Sequence, residues 1–402
     1  MSSFEGQATE LIPAVVRMIS GCQDSQTSAD VSNVSEFQLP DPAGCAGGAC
    51  TSSLLKVLYN EHHKNNENLS FVQVLGRMRE ILQSGGYTQI PQLSSSRMMD
   101  LNESFDIVPN NCTGTRRAVL IGINYTGQQG QLSGCHNDVG NIKDYLINAQ
   151  GFKLENITVL MVRTTPSLNQ IVTVTTTTYS NTTSSFFQDD TTNQSPTYDN
   201  IIAAFRALAT ATESGDCAFF HYSGEFCQDD KRQGNMRFTH FFVVFRISFL
   251  LIILSLPYKL GHGGRLKDES SEESDGYDET LIPVDYQTAG QIRDDAVFTE
   301  LVGRMVKGST LTCLLDCCHS GSVLDLPFTF KANGEEQEMR QNPKIDFGKI
   351  QGIAISYVIS KLCGNGQVGQ VVKMLIGGVG SVGGNNVSLG FLQTIAGMIK
   401  CG

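Results

Sequence analysis

LLDCCHSGS, Leu314 to Ser322, starts inside an apolar run and ends in small polar residues. The run itself, Leu311 to Leu315, is short and bounded by polar positions, the pattern of a strand covered on both faces. Three more runs share it: Ala118 to Ile123, Ile157 to Met161 and Cys217 to Tyr222. Between them, Asn137 to Ala149 and Tyr198 to Ala211 carry apolar residues at three- and four-residue spacing, as helices do. Strands alternating with helices predict an α/β fold with a mainly parallel central sheet and helices on both faces. In such sheets chemistry collects beyond the carboxyl ends of the strands. Three of these four strands end there in capable residues: Asn124-Tyr125, Ser223 and Asp316-Cys317-Cys318.

A thiol at a strand end, beside Gly321 and small polar residues, is exposed and within reach of backbone N–H donors. It needs a base, because a free thiol has a pKa of about 8.5 and only the thiolate attacks. The candidate base is His262, set between glycines in GHGG, Gly261 to Gly264, where a substrate can approach the backbone closely. The N–H groups of Cys318 and Gly263 are the candidate oxyanion donors. The residues alone leave Cys317 open as a second nucleophile.

Further out, residues 8 to 109 form a first block. Leu11 to Ile19 reads as a strand or a helix, and a loop rich in Pro, Gly and Ala runs from about Gln38 to Gly48. Helices are expected over Thr51 to Tyr59 and Ser70 to Gln83, the latter ended by Gly85-Gly86, and SFDIVP, Ser104 to Pro109, reads as a short strand. The second block runs from 116 to 341. A tail, 342 to 402, has helical runs at Gly352 to Leu362 and Val368 to Ile376 and a Gly-rich stretch.

Composition narrows the function. The 402 residues are 40% hydrophobic and 17% charged, the balance of a core-forming protein. A net charge of -11 argues against nucleic acid and suits metal cations or basic peptides. The 12 cysteines show no CxxC pairing, so buried reduced thiols in a cytoplasmic protein are the expectation. The opening MSSFEGQATELIPAVV lacks a basic region ahead of a long apolar one, and no secretory leader is expected.

HYSG (His221 to Gly224), HGG (His262 to Gly264), DGYDETLIPVD (Asp275 to Asp285) and DCCHSGSVLDLP (Asp316 to Pro327) together resemble the large-subunit region of the metacaspases. SGCQDSQTSADV (Ser20 to Val31), GACTSSLL (Gly48 to Leu55), FVQVLGRMREIL (Phe71 to Leu82) and SFDIVP resemble their small-subunit region. Here that region comes first, the order of the type III metacaspases. The resemblance implies a caspase-like sandwich formed by both regions and a cysteine endopeptidase with Cys318 as nucleophile and His262 as base. It implies cleavage of protein substrates after Arg or Lys, with Asp138 and Asp316 as the acidic pocket and Cys135 and Ser223 lining it. A carboxylate pair suits a guanidinium or ammonium by charge-assisted hydrogen bonding. Asp138 can equally cap a helix starting near Val139. The resemblance also implies a monomer, and calcium activation through Asp278, Asp294, Asp295 and Asp325. Calcium takes six to eight oxygen ligands, and Arg265 to Glu279 holds seven carboxylates; read without the resemblance, that stretch is a solvated loop.

Two stretches depart from the family pattern. Residues 225–261 separate HYSG from HGG, and 162–188, rich in Thr, Ser and Asn, separate VLM from Asp189-Asp190. The first holds FFVVFRISFLLIILSL, 241–256, which contains Arg246 and is shorter than the roughly 18 to 20 apolar residues of a membrane span. Kept in the protein, 225–261 would displace His262 and favour a catalytically impaired scaffold. Back-translation permits splice signals at both boundaries of both stretches, and their removal restores VLM-DDTTNQSP and HYSG-HGG in frame. The hypothesis is that both are retained introns. Sequencing of mature transcripts is expected to lack both; their presence in every message would refute it.

Overall fold

The computed structural model describes residues 4–21, 29–31, 37, 39, 46–59, 68–128, 130–162, 194–224, 265–267, 277–317, 323–343, 345 and 347, with backbone alone at 265–267 and 277–278. In chain order, helix α1 (Phe4–Leu11) leads into β1 (Val15–Ser20). The two-residue strands β2 (Asp30–Val31) and β3 (Gly47–Gly48) follow, then α2 (Ala49–Val57), α3 (Phe71–Ser84) and β4 (Gln92–Ser95). The second block contributes β5 (Arg116–Gly122), α4 (Cys135–Asn148), β6 (Ile157–Met161), α5 (Tyr198–Ala211) and β7 (Cys217–Ser223). Then come β8 (Arg265–Lys267), β9 (Tyr277–Leu281), α6 (Tyr286–Ala289), β10 (Ile292–Arg293) and α7 (Asp294–Glu300). Strands β11 (Thr310–Asp316), β12 (Phe328–Lys331) and β13 (Arg340–Gln341) close the described part.

Eight strands form one sheet in the order β13-β12-β4-β1-β11-β7-β5-β6. The five from β1 to β6 in that order are parallel, and the other three pair antiparallel. The cause is visible in the strands themselves: β7 and β11 are buried at every position, as a strand covered on both faces must be. The chain moves from β5 to β6 through α4 and returns across β5 to β7 through α5. Right-handed crossovers place two such helices on opposite faces. Consistently, α4 packs on β5 and β7 together with α2, while α5 packs on β5 and β6 together with α7. Among the described residues no helix is long and apolar enough to cross a membrane.

Both blocks contribute to this sheet. β1 lies between β4 and β11, so the first block occupies its middle. The ambiguous run Leu11 to Ile19 resolves into the end of α1 and β1. The helices expected at 51–59 and 70–83 appear as α2 and α3, α3 beginning with a reciprocal capping box between Ser70 and Gln73.

SFDIVP is not a strand; Ser104 alone forms a bridge, with Ser70. Arg17, buried in β1, takes the segment's carbonyls instead. Its Nη2 donates to Asp106 O at 2.8 Å and to Thr312 Oγ1 at 3.0 Å, and its guanidinium lies 5.5 Å from the centre of the Phe71 ring. Phe105 and Ile107 are buried, which gives the segment its strand-like alternation without a partner strand. The helical runs expected at 352–362 and 368–376 lie outside the described residues, as do most of 162–188 and all of 225–261.

His221 lies in the core of β7, fully buried, with Nδ1 3.0 Å from Leu314 O. Burial lowers its pKa to about 4, against a small opposing pull from the Leu314 carbonyl. The folded state therefore prefers neutral imidazole. The stability this contributes is complete above the unfolded value of about 6.5 and is lost as pH falls towards 4, to the extent of about 3 kcal/mol. With no Trp in the chain, unfolding is followed by circular dichroism. His221→Phe is expected to lose markedly less stability than the native chain between about pH 7 and pH 4.5. An equal loss in both would refute the assignment.

Candidate active site

The parallel register aligns the strand ends. Gly122 pairs with Ser223, and Ser223 with Asp316, so one row crosses β5, β7 and β11 at their carboxyl ends. Helix α4 starts directly over this row. It can approach because Gly122 has no side chain; a Cβ there would come 2.7 Å from the Cys135 carbonyl oxygen. Cys135 N donates to Asn124 Oδ1 at 3.0 Å, which fixes the first turn of α4 to the end of β5.

A cleft of roughly 50 Å³ opens at this point, lined by residues that include Asp30, Gly48, Cys135, Asp138, Ser223 and Asp316. Asp138, Asp316, Cys135 and Ser223, picked from the sequence, thus meet in one cavity. Ser223 Oγ donates to Asp138 Oδ2 at 2.7 Å, and Gly48 N to both oxygens of Asp138 at 2.9 Å. Thr51 N donates to Asp316 Oδ2 at 2.7 Å. Asp138 is not the N-cap of α4. α4 begins three residues earlier, at Cys135 with Gly134 as its N-cap, and the carboxylate turns inward to the cleft.

Burial and, next, the charge of Asp316 push the Asp138 carboxyl well above the usual carboxylate range, while its bonds from Ser223 and Gly48 pull it down. Burial, then the charge of Asp138, also pushes the Cys135 thiol well up, which suits a wall residue and not a nucleophile. Cys317 is 2% exposed and lines the cleft at the end of β11. Cys318, His262 and Gly263 lie outside the described residues; Asp316 is two positions before Cys318 in the chain.

Of the carboxylates read as calcium ligands, Asp294, Asp295 and Asp325 gather elsewhere, around the start of α7. Asp294, 2% exposed, accepts from Glu279 N at 2.9 Å and Asp295 N at 2.8 Å. Burial first, then the charges of Asp325, Glu279 and Asp295, hold its pKa well above the usual range. This oxygen-only, mutually repelling set fits a hard cation in its chemistry. Among the described residues no group of three or more His, Cys, Asp or Glu side chains converges as a finished metal site, and the Asp278 side chain is outside them. The buried carboxyl of Glu279 was not picked out as a ligand from the sequence.

Two phenols join this region to the strand ends. Tyr125, at a left-handed φ of 48°, donates to Ile282 O at 2.7 Å and lies 3.1 Å from the Tyr222 hydroxyl. Tyr222 in turn accepts from Ile282 N at 3.2 Å. Residue 282, just after β9, is thereby clasped to the ends of β5 and β7.

The sheet order, the opposed crossovers and a polar row at the end of the strand that leads into Cys318 define an α/β fold of the caspase type. A family model described as caspase domain matches residues 5–102 and 115–255, and one described as metacaspase, peptidase C14 domain matches 253–327. Metacaspase III c of Phaeodactylum tricornutum is 44% identical over 351 residues, 87% of this chain and 85% of that protein. Metacaspase-1A of Neurospora crassa is 33% identical over 236 residues, 59% of this chain and 38% of its own. Metacaspase-1 of Schizosaccharomyces pombe is 33% identical over 252 residues, 62% of this chain and 45% of its own. The chain belongs to the metacaspase family and is a cysteine-type peptidase.

Proposed function

We propose that the peptidase cleaves after Arg or Lys, with Cys318 as nucleophile and His262 as base, and that calcium stimulates it. The observation that carries this reading is the pair Asp138 and Asp316 in one cleft, Asp316 standing two chain positions before Cys318. Among the described residues that line the cleft none is cationic. A guanidinium or ammonium entering there finds two carboxylates and the Ser223 hydroxyl, and charge-assisted hydrogen bonds to them fix the side chain. The backbone carbonyl of that residue is then held beside the thiol.

In this reading His262 takes the Cys318 proton and the thiolate attacks the scissile carbonyl carbon. The N–H groups of Gly263 and Cys318 stabilise the oxyanion, an effect worth about a hundred- to a thousandfold per donor. The C–N bond breaks as His262 returns its proton to the leaving amine, which leaves a thioester. Water, deprotonated by His262, then attacks the thioester and frees the acid and the thiol. Asp278, Asp294, Asp295 and Asp325 would hold calcium, with Glu279 beside them. The bound ion would supply charge neutralisation of this cluster, which the tyrosine clasp at residue 282 joins to the strand ends. Protein substrates are the partners, and the reading includes neither nucleic acid nor a membrane and takes the chain as a monomer.

The test is hydrolysis of an Arg-ending fluorogenic peptide, with and without calcium, by the whole chain and by a shortened variant lacking 162–188 and 225–261. The expected result is turnover by the shortened protein with calcium, abolished by Cys318→Ala. Equal activity of the whole chain would make the two stretches tolerated loops. If neither form cleaves after a basic residue, the Arg/Lys reading is wrong.

A further inference from the structure

We propose that Gly48, supplied by the first block, is a specificity-determining residue of the acidic cleft: its bare Cα keeps open the space between Asp138 and Asp316 that a basic side chain enters. The inference rests on the Arg/Lys reading for its substrate, but its structural basis is independent. Gly48 sits at φ -75° and ψ 141°, ordinary extended backbone that any residue adopts. The backbone therefore does not require glycine there. The carboxylates do. A Cβ on Gly48 would lie 2.2 Å from Asp316 Oδ2, 2.5 Å from Asp316 Cγ and 2.9 Å from Asp138 Oδ2. The first atom of any side chain at this position would occupy the gap between the two acids.

Gly48 also acts through its amide, which donates to both oxygens of Asp138, while Thr51 three residues on donates to Asp316. The start of α2 thus gives the pair its N–H donors without adding a cation that would compete with the substrate's. The same stretch of the first block brings a third acid to the rim: Asp30, on β2 beside β3, lines the cleft and accepts from Ser133 N and Oγ at 2.9 Å. The recognition pocket is therefore built across the two blocks, with its acids mainly from the second and its glycine opening from the first.

Gly48→Ala is expected to raise KM for an Arg-ending peptide about ten- to a hundredfold, the scale of overpacking a tight contact. The rate at which a small uncharged alkylating reagent modifies Cys318 is expected to stay unchanged. Gly76→Ala, where a Cβ meets nothing within 4 Å, is the control and should leave KM as it is. Melting temperatures separate a contact with the acid from general damage. The drop caused by Gly48→Ala should shrink in an Asp316→Ala background, which removes the oxygen 2.2 Å away. An equal drop in both backgrounds, or an unchanged KM in a protein that prefers Arg over Asn and Leu peptides, overturns the proposal. If the native protein itself shows no such preference, the Arg/Lys reading fails while the melting comparison still decides the contact.

Discussion

Two buried carboxylates share one small cavity, and much of the surrounding structure serves to make that tolerable. Taking charges out of water costs several kcal/mol each unless they are paired or hydrogen-bonded. Asp138 and Asp316 are met here by dipoles: the Gly48 and Thr51 amides and the Ser223 hydroxyl. The donors come from two separate constraints. Ser223 is there because β7 is in register with β11, and the amides are there because α2 begins where the first block meets α4. In the proposed reading, the repulsion that remains is what an incoming cation relieves, so the feature that costs stability would also supply recognition.

The unusual block order fits this arrangement. β1 is hydrogen-bonded to β11 along its whole length, and Arg17 anchors the segment after α3 and β4 onto that pair. The first block is thus held by hydrogen bonds to the central sheet, and that pairing brings its glycine and amides to the cleft. The acids around Asp294 form a second strained centre, tied to the strand ends by Tyr125 and Tyr222 through residue 282.

The parallel sheet was legible because its strands are continuous apolar runs, and all four expected in the second block exist within a residue or two of their reading. What could not be read depends on distant partners. Gln92–Ser95 is a buried strand made largely of polar residues, which no apolar pattern announces. SFDIVP has the alternation of a strand, but Arg17, 89 positions from Asp106, claims its carbonyl. In the cleft, Ser223 and Asp316 were legible as strand-end residues, and Asp138 and Cys135 through the family resemblance alone. Gly48 was read as the end of a loop rich in Pro, Gly and Ala and as the start of GACTSSLL, without a role, since that role depends on Asp138 and Asp316, 90 and more positions away. Asp30 lay inside the quoted QTSADV motif, yet only the meeting of β2 with β3 brings it to the cleft.

The most direct measurement is a crystal structure of the calcium-loaded protein reacted with a peptide chloromethyl ketone ending in Arg. The account predicts a bond from Cys318 Sγ to the inhibitor, with the guanidinium between the carboxylates of Asp138 and Asp316 and against the Gly48 Cα. A guanidinium bound elsewhere, or a bond to Cys317 or Cys135, would contradict it.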